Sequence, residues 1–88
     1  MKFLNIIDNE QIFIDAFNQS DYGKKTWNQA LDMYLQYSGN KEDIALANDY
    51  ILDNMWQWLK EKSTKEESES FFLTYENSIK EKIESLLY

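Results

Sequence analysis

Eighty-eight residues amount to one folding unit, with no room for a second hydrophobic core. Hydrophobic residues make up 43% of the chain and aromatics 16%, so a formal net charge of -7 does not turn it into a disordered polyelectrolyte. His, Cys and Arg are all absent, which excludes disulfides, thiolate nucleophiles, the usual zinc and haem ligands and the bidentate phosphate fork; nine lysines against sixteen carboxylates repel nucleic acid and anionic lipid.

The first helix signal lies at Asp8. As an N-cap it places Gln11 at N3 in a capping-box relation and sets Ile7 against Ile12 as a hydrophobic staple. A helix is expected over residues 9 to about 19, with Phe13, Ala16 and Phe17 inward and Ile12 and Ile14 widening the stripe. The competing pattern is an N-terminal β-hairpin of residues 3–7 and 12–14, where β-branched and aromatic side chains are dense.

Residues 20–25, containing Gly23, read as a polar connection. Thr26 and Gln29 form a second capping box, and Trp27, Leu31, Tyr34, Leu35 and Ser38 fall on one side of a helix over residues 27 to about 38. Met33 and Tyr37 carry its apolar arc further round. Gly39 suits a left-handed C′ position, and Asn40 can cap the element that follows.

The third predicted helix, over residues 41–62, holds no Gly or Pro. Its inward set is Ile44, Ala47, Ile51, Met55 and Trp58, flanked by Leu52 and Leu59. Ser63 and Thr64 then offer overlapping capping boxes with Glu66 and Glu67, and Phe72, Tyr75, Ile79, Ile83 and Leu86 keep helical spacing to the C-terminus. The 3.6 period overrides the β-propensity of residues 71–75. The expected fold is therefore all-α: one domain over residues 1–88, a small antiparallel bundle of three to four helices joined by short turns.

Chemistry is scarce along this chain. Glu66, Glu67 and Glu69 crowd one first turn, yet no stretch supplies the alternating oxygen ligands around a Gly that a calcium loop needs. A bundle di-metal centre requires Glu-x-x-His pairs, Ser and Thr have no His base, and no Gly-rich phosphate loop is present. Neither an enzyme nor a bound metal or cofactor is expected.

The third helix is more informative. Successive residues turn by about 100°, so Trp56 and Trp58 project about 200° apart and cannot both face one core. With Ile44, Ile51 and Met55 as the core axis, Trp58 lies inward and Trp56 on the border. Glu42, Leu46, Asp49, Tyr50, Asp53 and Trp56 then form an acidic strip edged by apolar and aromatic groups, a composition typical of protein-binding surfaces. The alternative is that Tyr50 and Trp56 cover neighbouring helices. Residues 1–59 hold nine acids against four lysines, residues 60–88 seven against five, so the acidity concentrates in the first two thirds of the chain.

In size, acidity and lack of catalytic side chains the chain resembles the small inhibitor proteins that phages and other mobile elements encode, anti-CRISPR proteins and DNA mimics among them. The resemblance is one of composition and carries no motif. It implies a non-catalytic helical protein that blocks or regulates a protein partner, a basic nucleic-acid-binding one being the natural target of an acidic face, with no direct contact to nucleic acid or membrane. The alternative is a structural or assembly role, as a homo-oligomer or as a subunit of a larger complex. No long apolar segment follows the N-terminus, and a soluble cytoplasmic protein is expected.

Overall fold

The computed structural model describes residues 10–35 and 40–87. They are all-α, with no strand among the described residues: α1 (Glu10–Gln19), α2 (Asp21–Ala30) running into a π-helical turn (Leu31–Leu35), α3 (Lys41–Lys62) and α4 (Lys65–Leu87). Residues 12–14 of the alternative hairpin lie within α1, and its residues 3–7 lie outside the described residues, as do Asp8 and Ile7 of the expected cap and staple.

A single residue separates α1 from α2. The Ser20 hydroxyl donates to the Phe17 carbonyl at 2.6 Å and accepts the Gly23 amide at 2.9 Å, so one side chain serves both helix ends. This corrects two expectations. The second helix starts at Asp21 rather than at Trp27, and Thr26 is no N-cap: it is buried in mid-helix, its hydroxyl donating back to the Tyr22 carbonyl at 2.8 Å. Gly23 sits inside the helix because a Cβ there would lie 1.7 Å from the Phe17 carbonyl oxygen. The inward side of α2 is accordingly built from small residues, Gly23, Thr26 and Ala30, while Leu31 is exposed against expectation. The expected cap at Gly39 lies outside the described residues.

Asn40 caps α3 by accepting the Asp43 amide at 2.9 Å. Every inward residue expected of α3 is buried, and Asn48 joins them. Of the two capping boxes at the next turn, Thr64 takes the role, accepting the Glu67 amide and donating to its carboxylate, both at 3.1 Å. Ser63 instead closes α3, donating to the Leu59 carbonyl at 2.8 Å and meeting the Ser68 hydroxyl at 2.7 Å. With only Ser63 and Thr64 between them, α3 and α4 run antiparallel. The pairs Asn48 with Lys80, Trp56 with Phe72 and Ser63 with Ser68 mark their register.

The core is one cluster to which all four helices contribute. At its centre Phe13 and Phe17 of α1, both fully buried, meet Trp58 at 5.8 and 5.4 Å between ring centres, and Phe13 also meets Phe71 and Phe72 at 5.1 and 5.9 Å. Tilted and edge-on rings at these distances add about 0.5–1.5 kcal/mol per pair to the burial of their area. The start of α1 is tied to α4 by the Ser78 hydroxyl, which donates to the Glu10 carboxylate at 2.9 Å. A hydrogen bond from its own backbone, then that hydroxyl, hold the Glu10 carboxyl below its ordinary range.

Asn48 is the polar exception in the α3–α4 seam, 9% exposed. Its amide nitrogen donates to the Lys80 carbonyl at 3.0 Å, while its oxygen is buried with no partner. An unpaired buried acceptor costs about 1–3 kcal/mol, against about 1 kcal/mol for the one bond made. Asn48→Leu, which keeps the number and branching of the side-chain heavy atoms, is therefore expected to leave stability unchanged or raise it by about 1 kcal/mol in urea denaturation. A loss of more than about 2 kcal/mol would show that the amide contributes more to the seam than the one bond seen.

Candidate functional site

Along α3, residues 42, 46, 49 and 53 recur at intervals of four, three and four, which puts them on one stripe opposite the buried side. Glu42, Asp49 and Asp53 are exposed on it, and Leu46, between the first two acids, is 50% exposed. None of these three carboxylates makes an ion pair or a hydrogen bond among the described residues. The salt bridge shown there, Lys80 to Glu76 at 3.7 Å, lies on α4. Each acid is thus a solvated charge available to a partner.

Tyr50 and Trp56 flank the stripe on opposite sides, and both are half-buried against the protein's own helices. The Tyr50 ring lies 6.1 Å from that of Tyr34 in the π-helical turn, and its hydroxyl donates to the Gln29 side-chain carbonyl at 2.6 Å. Asn54 ties the same flank together: its amide donates to the Tyr50 carbonyl at 2.8 Å and its oxygen accepts from the Tyr22 hydroxyl at 3.1 Å. Burial, then the charge of Glu61, raise the Tyr22 hydroxyl above its ordinary pKa. On the other flank Trp56 stacks on Phe72, ring centres 4.5 Å apart, with the Lys60 ammonium 5.4 Å over its face. Its indole N–H is buried without a partner.

The six residues expected to form the site therefore divide. Glu42, Leu46, Asp49 and Asp53 stand free on the stripe; Tyr50 and Trp56 are braced within the fold and present only an edge. Sequence reasoning missed the brace itself, Tyr22, Gln29, Tyr34 and Asn54, because three of these lie on elements far from α3 in sequence. It also missed Leu73, 87% exposed on the back of α4.

Among the described residues the clefts below carry no reactive arrangement. One, about 480 Å³, is lined by Asn18, Lys24, Trp27, Asn28 and Leu86, and the Trp27 indole already donates to Asn18 at 2.6 Å. A second, about 330 Å³, lies over Asn48 between Lys41, Asp49, Lys80 and Glu84. Among the described residues no three carboxylates converge on a point that would hold a metal ion. No helix among them is long and apolar enough to cross a membrane. Comparison with protein-family models, with curated proteins and with solved structures finds no match.

Proposed function

We propose that this chain is a non-catalytic binding protein, a single cytoplasmic domain built as a small antiparallel bundle, that docks the outward face of α3 on a basic partner protein and so blocks or regulates it. One observation carries the reading: Glu42, Asp49 and Asp53 line a single rigid helix face, unpaired, around an exposed Leu46. Solvation leaves exposed carboxylates little penalty in the free protein, roughly a few tenths of a kcal/mol for the like-charged Asp49 and Asp53 one turn apart, whereas an exposed Leu among them gains only when something covers it. Charges at the rim steer a cationic partner into place, and the apolar centre holds it. The basic surface of a nucleic-acid-binding protein is the natural complement, since it must attract phosphates and carries the cations this face lacks.

A variant with Glu42→Gln, Asp49→Asn and Asp53→Asn tests this, because it keeps the fold and the apolar centre while removing three charges. The partner, captured by wild-type protein and identified by mass spectrometry, is expected to associate at least tenfold more slowly with the variant. Its on-rate should also depend less on salt between about 50 and 300 mM, where the screening length shortens. Equal on-rates and equal salt dependence would overturn the assignment of this face.

Leu73, 87% exposed on α4, favours a second reading, a homo-oligomer or subunit whose α4 is covered by another chain. Light scattering separates the two: an obligate homo-oligomer shows no monomer at micromolar concentration, and Leu73→Glu should then release it.

A further inference from the structure

The spacing of the α3 face says what shape of partner it fits. With a rise of about 1.5 Å per residue, Glu42, Leu46, Asp49 and Asp53 lie at about 0, 6, 10.5 and 16.5 Å along the axis. A nucleic-acid strand carries a phosphate about every 3.4 Å, so the same length would hold about five charges where α3 has three, interrupted by Leu46. The face is too sparse to imitate a phosphate backbone, and its centre is apolar.

That apolar centre is wider than Leu46 alone. Tyr50 follows one turn later on α3, and Tyr34 of the π-helical turn lies 6.1 Å from it across the seam. Two elements thus contribute to the surface, with an aromatic floor beside Leu46 and the α3 carboxylates along its edge. A partner strand places same-face residues about every 6.6 Å, and from a common origin at Glu42 it misses Asp49 and Asp53 by about 3 Å each. A partner helix has the same rise as α3 and keeps step with all four positions over about 16 Å, at the usual interaxial distance of about 8–10 Å.

We infer that the α3 face, with the Tyr34–Tyr50 seam, is a docking site for a basic amphipathic helix of a partner protein. The apolar ridge of that helix covers Leu46 and the two tyrosines, and its lysines or arginines meet Glu42, Asp49 and Asp53. The inference rests on the protein-binding reading above and adds the form of the bound segment. Charge complementarity chooses the occupant: between residues 42 and 53 the charges on the stripe are all carboxylates, with Lys60 the next charge two turns beyond, so a second copy of this chain laid on the same stretch would set acid against acid.

The probe is an eighteen-residue capped peptide of Leu and Lys patterned as an amphipathic helix. Its controls are the same peptide broken by a central Pro and an oligolysine of equal charge. Titration into isotopically labelled full-length protein, followed by amide NMR shifts, is expected to move the signals of residues 42–53 and Tyr34. Affinity should be at least tenfold higher than for either control. Leu46→Gln and, separately, Asp49→Lys with Asp53→Lys should each lower it at least tenfold while leaving the circular dichroism spectrum unchanged. Equal binding of oligolysine, shifts centred on Leu73, dimerisation through the α3 face, or no binding at 1 mM peptide would each overturn the inference. Failure of the parent reading looks different. If the charge-neutral variant associates normally with its captured partner, the face itself is wrong; if it does not, and the helical peptide is no better than oligolysine, the face stands and only the helical form of the partner falls.

Discussion

Gly23→Ala is expected to destabilise the protein by about 2–3 kcal/mol, although the same change in an ordinary helix interior stabilises by up to about 1 kcal/mol. The added Cβ would lie 1.7 Å from the carbonyl oxygen of Phe17 and 2.6 Å from its carbonyl carbon. Both are backbone atoms, so no side-chain rotation relieves the contact. Relief requires the C-terminal end of α1 to move off α2, and that displaces Phe17, which is fully buried against Tyr22 and Trp58. It also breaks the geometry in which Ser20 serves both helices. Urea denaturation with matched m-values measures the loss, and Gly23→Ser should behave alike because any Cβ meets the same carbonyl. An unchanged or higher midpoint would mean that α1 and α2 do not approach this closely.

Gly23 also shows where sequence reading stops. A Gly in a polar stretch signals a break, and only the position of α1 reveals it as a point of close approach. Small residues carry little periodic signal, so an inward side made of Gly23, Thr26 and Ala30 is eclipsed by Trp27 and Leu31, whose size drew the axis of the predicted helix to the wrong start. In α3 the apolar residues expected inward are all buried, and the boundaries were readable because 22 residues run without a Gly or Pro. Asn48, buried with them, carried no apolar signal that could have placed it there. In α4 the pattern holds through Ile83 but not at Leu86, which is exposed.

The candidate site divides along the same line. That Glu42, Leu46, Asp49 and Asp53 share an outward stripe follows from helical geometry alone, and the angular conflict between Trp56 and Trp58 placed Trp56 at the border where the structure has it. What holds Tyr50 and Trp56 is non-local. Gln29 lies 21 residues from Tyr50 and Tyr22 lies 32 from Asn54, and no local rule pairs them.

Phe72→Ala is expected to be the most damaging of the single changes, at about 3–5 kcal/mol. Phe72 is fully buried and its ring meets those of Phe13, Phe71 and Trp56, so truncation opens a cavity bounded by three helices. For 88 residues a total stability of roughly 4–13 kcal/mol is ordinary, and a loss of this size lowers the thermal midpoint on the order of 20 °C. Trp56→Ala should cost less, about 2 kcal/mol, since half-burial leaves part of the indole in water already and its N–H has no partner to lose. The double variant is the decisive measurement. If Trp56 is seated on Phe72, the two losses overlap by about 1 kcal/mol, the size of one aromatic contact. Strict additivity would mean that the 4.5 Å stack does not form in solution and that Trp56 is free to face a partner. With the overlap present, weakened binding by Trp56→Ala mixes a lost contact with a loosened α3–α4 seam. Leu46, 50% exposed and absent from the buried core, then gives the clean test of the face, because its truncation changes what a partner touches and little of what the fold needs.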